Sequence, residues 1–398
     1  MSSLEAELQE AARIGAEGGG VSRFAWTPEL AEANAWLVGR LESLGLKTRI
    51  DPAGNVFGCW NEGEGKAVLV GSHLDTVPQG GRYDGALGVL AAVEVVRALK
   101  NTGTTLRRPL WVVSFNDEEG CRFQTGMLGS RAFVGDLDLD DWRKRGVAEA
   151  MAVGGFDFHR LGEARGIDEV GAYLELHIEQ GPVLEQAGVD LGIVTGIAGL
   201  LGFRVRLTGE ANHAGTTPMA SRRDALAGAS RVVLALRDEA RSRGDMTANV
   251  GILTVAPGGF NVIPGTAELT IDVRAGAADA FARAEVFVRE ALERIAEDER
   301  LKLEVAETHR KPPTPLDPEL QELLAEAAAA EGGSIRRMPS GAGHDAMVLA
   351  KHVPAAMLFV PSRAGVSHSP EEYTAPEHCE LGARVLTRAV SSLVANHS

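Results

Sequence analysis

The sequence predicts an α/β protein in which a mostly parallel sheet is interrupted by an inserted α+β domain. Three observations lead there. KAVLVGSH (66–73) and PLWVVSFND (109–117) are compact apolar runs of the kind found in strands buried on both faces. The segment 84–100 between them reads as a crossover helix, which completes a β-α-β unit. From about residue 202 the strands alternate apolar and polar residues, as in an antiparallel sheet with one face open.

Taken in chain order, Thr27 is placed as an N-cap with Pro28 at the first helical position. The apolar spacing that follows is helical to Leu44 and stops at Gly45, a C-terminal cap. Short strands and the β-α-β unit come next, then a strand at YLELHIE (173–179). GFRVRLTG (202–209), TANVGILTVAPG (247–258) and TAELTIDVRA (266–275) form the alternating set, with amphipathic helices at about 221–243 and 277–298. KPPTPLDP (311–318), with four prolines, reads as the return linker, after which helix and strand alternate again. The expected division is therefore a discontinuous first domain, 1–199 and 312–398, and an insert, 200–311. A length of 398 residues suits two domains.

A formal charge of −15 disfavours nucleic acid, and an anionic substrate would need a local cationic pocket. Cys59, Cys121 and Cys379 are far apart and form no C-x-x-C, so neither a disulfide framework nor a cysteine zinc site is indicated. MSSLEAELQEAARIG lacks the basic and apolar regions of a signal peptide, and the longest apolar run (86–99) is broken by Glu94 and Arg97. A cytoplasmic protein with no membrane partner is expected.

Two segments concentrate chemistry. GSHLDTVPQGGRYDGALGV (71–89) carries His73, Asp75 and Asp84, and SFNDEEGCRF (114–123) carries Asp117, Glu118 and Glu119. His73 and Asp75 share a strand face, so Asp75 is expected to accept the second ring proton of His73. Three adjacent carboxylates after an apolar strand are costly unless cations neutralise them; the alternative is a solvated acidic turn. Neighbours on an extended segment point apart, so one glutamate can bind metal while the other carries a proton. His177 alone reads as a core histidine, and His368 alone as a surface one.

Together with ELHIEQGPVLE, NHAGTTPM, NVIPG, SGAGHDA and VPSRAGVSHSPEE, these segments resemble the motifs of the hydantoinase/carbamoylase amidohydrolases, a branch of the dinuclear M20 metallopeptidase superfamily. The resemblance spans nearly the whole chain in order. It implies two divalent metal ions per subunit, zinc first, with manganese, cobalt or nickel as alternatives. Asp84 would bridge them, His73 and His177 would complete one site, and Glu119 with His368 the other. Glu118 would be the general base. Arg274 would clamp a substrate carboxylate, although its spacing from Asp272 also suits a surface ion pair. His213 and Asn261 would hold the scissile carbonyl, Gln180 the urea-like nitrogen, and the Gly343–His344 turn would offer main-chain N–H groups to an anion. The insert would serve as lid and dimerisation domain of a homodimer, with hinges at Gly196–Gly199 and Pro312–Pro315.

The implied activity is hydrolysis of N-carbamoyl-L-amino acids to the amino acid, carbon dioxide and ammonia. Allantoate amidohydrolase is the alternative, and ureidopropionase or aminoacylase activities are more distant. One departure is Gly199-Leu200-Leu201-Gly202, which lacks the aromatic that many relatives carry. Cys121 has no adjoining histidine and is not expected to act as a nucleophile.

Overall fold

The computed structural model describes residues 3–396; the terminal residues 1–2 and 397–398, which the expected first domain includes, lie outside the described residues. In chain order the elements that matter are α1 (Pro28–Ser43), β1 (Lys47–Ile50), β2 (Val56–Trp60), β3 (Ala67–His73), α2 (Ala86–Asn101), β4 (Leu110–Phe115), β5 (Val170–Ile178) and β6 (Leu191–Ile197). Then follow β7 (Gly199–Thr208), α3 (Ala225–Arg243), β8 (Met246–Ala256), β9 (Thr266–Ala275), α4 (Ala278–Asp298) and β10 (Lys302–Lys311). The last are β11 (Ile335–Ser340), β12 (Ala355–Val360) and α5 (Pro376–Val394). No helix among the described residues is long and apolar enough to cross a membrane.

The larger sheet has nine strands among the described residues, in the order β6-β12-β5-β3-β4-β2-β1, with β11 and Thr314–Pro315 also paired to β6. Its centre is parallel: β12 with β5, β5 with β3, and β3 with β4. Antiparallel neighbours flank it, β2 on one side and β6 on the other. β3 and β4 are buried at every position, as their unbroken apolar runs predict. Alternate residues go to different layers. Val68, Val70, Leu110, Val112, Leu174 and Leu176 join one core with α2 and α5. Phe57, Phe115 and Tyr173 instead build an aromatic layer, in which Phe133 lies 5.3 Å from Phe57 and 5.8 Å from Phe115. α2 buries eleven of its sixteen residues, so it reads as an apolar run rather than a stripe.

The smaller sheet, β8-β9-β7-β10, is antiparallel throughout. Its core joins Leu201, Phe203, Val205 and Leu207 of β7 to the apolar faces of α3 and α4. α3 starts at Ala225 rather than near 221, because the Asp224 carboxylate caps it through Leu226 N–H and Ala227 N–H.

By its contacts the chain divides into two compact units. One comprises the residues up to Thr195, Leu316–Met338 and Ala342 onward; the other comprises Gly196–Pro315 with Pro339–Gly341. The boundaries fall a few residues from 199/200 and 311/312 because Gly196 and Ile197 pair with Pro315 and Thr314 and stay with them.

Candidate metal centre

β3, β4 and β5 run parallel, so their carboxyl ends meet at one sheet edge. His73 ends β3 in register with Phe115, which ends β4, and the Asn116–Glu119 turn follows directly. His177 comes from the last turn of pleat in β5. Asp84 lies just before α2. Gly85 has φ +62°, and a Cβ there would stand 2.4 Å from the His73 ring, so the turn can seat against His73 only as glycine. His368 lies in the loop after β12 with φ +55°.

The two oxygens of Asp84 face different partners. Oδ1 is 3.2 Å from His177 Nε2 and 3.7 Å from His73 Nε2. Oδ2 is 3.4 Å from His368 Nε2, which is itself 3.5 Å from Glu119 Oε2. Glu118 Oε2 stands 3.7 Å from His73 Nε2. The donor atoms of His73, Asp84 and His177 lie within 4.8 Å of one another, and so do those of Asp84, Glu119 and His368. All six residues expected to form the centre are therefore brought together, with Asp84 common to both sets.

Asp75 has a different role from the one expected. The ring Nδ1 of His73 is 3.0 Å from the Asp75 main-chain oxygen, whereas the carboxylate is 3.8 Å away. That carboxylate instead accepts Glu118 N–H at 3.2 Å and Glu119 N–H at 3.1 Å, one on each oxygen. The side chain thus fixes the acidic turn and the carbonyl fixes the histidine. Asn55, fully buried, braces the turn from behind by accepting Asn116 N–H at 2.9 Å. Gln180 donates from Nε2 to Asp84 Oδ2 at 2.8 Å, while its buried Oε1 has no partner among the described residues.

Charge balance explains why such a centre needs cations. Burial pushes Glu118 well above the usual carboxylate range, reinforced by Glu119. Burial and the nearby Asp84 push Glu119 up to about 9. Burial also acts to raise Asp84, but hydrogen bonds from His177 and His368 hold it well below its ordinary value. His177 is opposed by burial yet rises to about 9 through its bond to Asp84. Left alone, this cluster retains protons; two divalent cations would balance the same charge without them. Imidazole and carboxylate donors in two groups that share one carboxylate fit such a pair.

The remaining expected residues are placed as follows. The His344 ring is buried, 4.5 Å from the His177 ring, and the residue immediately precedes a five-residue helix, Asp345–Leu349. Gly343 precedes it, and at Ala346 the helix-start N–H is already taken by Glu175 at 3.3 Å, so the turn is less open to an outside anion than expected. Within the smaller unit, Asn261 O accepts Ala214 N–H at 2.8 Å, which joins the His213 and Asn261 loops. His213 Nδ1 accepts Gly215 N–H at 3.0 Å, so a neutral ring carries its proton on Nε2. Arg274 does pair with Asp272, at 3.2 and 3.3 Å, and gives a third hydrogen bond to Gly341 O at 3.0 Å. Two of its five N–H groups are left for a carboxylate. Burial and Glu119 push the Cys121 thiol up to about 12, against a nucleophilic role.

Sequence reasoning missed Glu372. It is buried, and its Oε1 accepts Tyr83 N–H at 3.0 Å and Asp84 N–H at 3.1 Å. The pair Glu371–Glu372 in HSPEEY was visible, but nothing in the string separates the exposed member from the buried one.

Comparison with known proteins agrees with this geometry. Residues 69–392 match Peptidase family M20/M25/M40. The N-carbamoyl-L-amino acid amidohydrolase of Geobacillus stearothermophilus is 41% identical over 396 residues, 97% of each chain. The allantoate amidohydrolase of Bacillus subtilis (strain 168) is 38% identical, over 97% of this chain and 96% of its own. The crystal structure of an amidase of the hydantoinase/carbamoylase family from Burkholderia multivorans superposes with a TM-score of 0.88 at 36% identity, covering 98% of this chain and 96% of that one. With a sheet edge that gathers two sets of cation donors around one aspartate, the chain belongs to the M20/M25/M40 peptidase family, in its hydantoinase/carbamoylase branch of amidohydrolases.

Proposed function

We propose that this amidohydrolase removes the carbamoyl group from N-carbamoyl-L-amino acids, giving the amino acid, carbon dioxide and ammonia. The observation that carries the reading is Asp84, whose two oxygens divide between His73 with His177 and Glu119 with His368. Bound there, two divalent ions, zinc or alternatively manganese, cobalt or nickel, would activate a water and polarise the attacked carbonyl. Glu118 takes the proton of the attacking water and returns it to the departing nitrogen as one C–N bond breaks; the carbamic acid left behind then loses carbon dioxide, which breaks the second C–N bond and frees the other amine. His213, with Nε2–H free to donate, and Asn261 hold the developing oxyanion. Arg274 receives the substrate carboxylate on its remaining N–H groups.

The ureido preference is supported by the unpartnered Gln180 Oε1. A buried carbonyl oxygen without a donor favours a substrate with a terminal N–H at that place, which a carbamoyl group has and an acetyl group lacks. The 41%-identical relative named for N-carbamoyl-L-amino acids supports the same choice. Allantoate, also a ureido compound, is the second reading, supported by the 38%-identical relative named for it. Protein stripped of metal and reloaded with zinc, manganese or cobalt should release ammonia from N-carbamoyl-L-amino acids. Ammonia from allantoate alone would move the protein to the second reading, and release of acetate from N-acetyl-amino acids without ammonia from any ureide would overturn both.

We further propose a cytoplasmic homodimer joined through the smaller unit. Edge strand β8 leaves Ile252, Leu253 and Val255 exposed, an apolar strip suited to a second copy. Sedimentation at micromolar concentration should give twice the chain mass; a monomer would overturn the dimer.

A further inference from the structure

Glu372 and Ser367 lie outside the ligand set and outside the chemistry described above, yet together they surround its central residue. Glu372 is 3% exposed and makes no ion pair with a basic side chain among the described residues. Its Oε1 receives two consecutive main-chain N–H groups, Tyr83 at 3.0 Å and Asp84 at 3.1 Å. Its Oε2 lies 2.8 Å from Ser367 Oγ, and the same hydroxyl is 3.1 Å from Asp84 Oδ2. The fit is tight: a Cβ on Gly81 would sit 2.0 Å from Glu372 Oε1. The carboxylate thus reaches into the turn at a point where only glycine leaves room.

Two consequences follow from the donor count. An aspartate carboxylate can rotate about its last torsion, and rotation would exchange or merge the two donor sets. Oδ2 is held against rotation by Gln180 Nε2 at 2.8 Å and by the Ser367 hydroxyl. Ser367 has one proton and faces two carboxylates, so Glu372 decides how that proton is shared. Glu372 therefore fixes both the main chain of Asp84 and, through Ser367, the plane of its carboxylate. Because Ser367 adjoins His368, the same contact ties the loop that supplies one ligand to the turn that supplies another.

We propose that Glu372, acting through Ser367, is a positioning residue that keeps Asp84 bridging two cation sites; this rests on the two-cation reading above. Groups that orient metal ligands in this way alter affinity by about 10–100-fold when removed. Glu372→Gln keeps one oxygen for the two N–H groups but turns an NH2 toward Ser367, which leaves the hydroxyl proton to Asp84. Glu372→Ala removes both functions, and Ser367→Ala breaks the link from Glu372 Oε2 to Asp84 Oδ2 while leaving the Tyr83 and Asp84 N–H contacts in place.

The test is calorimetric titration of metal-stripped protein with Mn2+, together with electron paramagnetic resonance of the loaded protein. Wild type should take two equivalents and show the spin coupling of a bridged Mn2+ pair. Ser367→Ala and Glu372→Ala should bind one equivalent at least 10-fold more weakly and lose the coupling, whereas Glu372→Gln, which keeps the main-chain contacts and leaves the hydroxyl proton on Asp84, should stay near wild type. Wild-type stoichiometry, affinity and coupling in both alanine variants would overturn the positioning role while leaving the two-cation reading in place. A single equivalent in wild type would overturn that reading and this inference with it. Should Glu372→Ala fail to fold, Ser367→Ala carries the same decision.

Discussion

Glu118 and Glu119 are consecutive, but their carboxylates serve different neighbours: Glu118 stands near His73 and Glu119 near His368. Substituting Glu118 by Gln keeps the shape and removes the proton carrier, so turnover should fall by about 10²–10⁴-fold while metal uptake and Tm stay at wild-type values. Near-native turnover would show that another group moves the proton. Gln180→Leu removes the bond to Asp84 as well as the unpartnered oxygen, so turnover should fall on both substrate classes, with the loss on a carbamoyl substrate exceeding that on an N-acetyl one by about tenfold or more. Equal losses on both would remove the support that Gln180 lends to a ureido substrate. At this scale His73, Asp84 and the Glu118–Glu119 pair stood out because chemically marked residues follow apolar runs, whereas His177 and His368 were picked out only by the family resemblance. Asn55 and Glu372 were not, since their importance rests on hydrogen bonds to Asn116 and to Tyr83 and Asp84, remote positions that no local pattern announces.

At the scale of elements, the acidic turn is only as well placed as the segments behind it. Asn55 bonds Asn116 N–H, Asp51 Oδ2 and Gly129 O, which links the start of β2, the end of β4 and the helix Leu128–Val134. Asn55→Ala would leave buried groups unsatisfied on all three and should destabilise the protein by about 1–3 kcal/mol for each group that finds no water, read from urea unfolding. A change within error would mean that water replaces the amide. The alternating strands were readable from their period, and the β-α-β unit from its unbroken apolar runs and their lengths. β10 was not: KLEVAETHRK is charged and mostly exposed, and its only mark as a strand is its pairing with β7. Nor was the antiparallel direction of β2 and β6 readable, because burial on both faces carries no information about direction.

For the whole molecule, the centre couples stability to cations and to pH. Glu118 and Glu119 titrate above the ordinary value of 4.5 in the folded chain, Glu119 at about 9. Their protonation contributes stability that is fully present below about pH 4.5 and is lost as pH rises toward 9, because the unfolded chain releases those protons earlier. Chelator-treated protein should therefore lose Tm between pH 6 and 9, and the gain in Tm on adding Mn2+ or Zn2+ should widen over the same interval. A gain independent of pH would mean that the buried acids are neutralised some other way. The sheet order has a further consequence, for how the chain is made. β12, residues 355–360, lies between β6 and β5, yet the ribosome delivers it more than 150 residues after both, since 355 − 197 = 158. Until then β5 has an open side and the nascent sheet is split. A chain stopped before residue 355 should expose that edge and aggregate rather than fold to a smaller protein, so that this enzyme matures in one late, cooperative step.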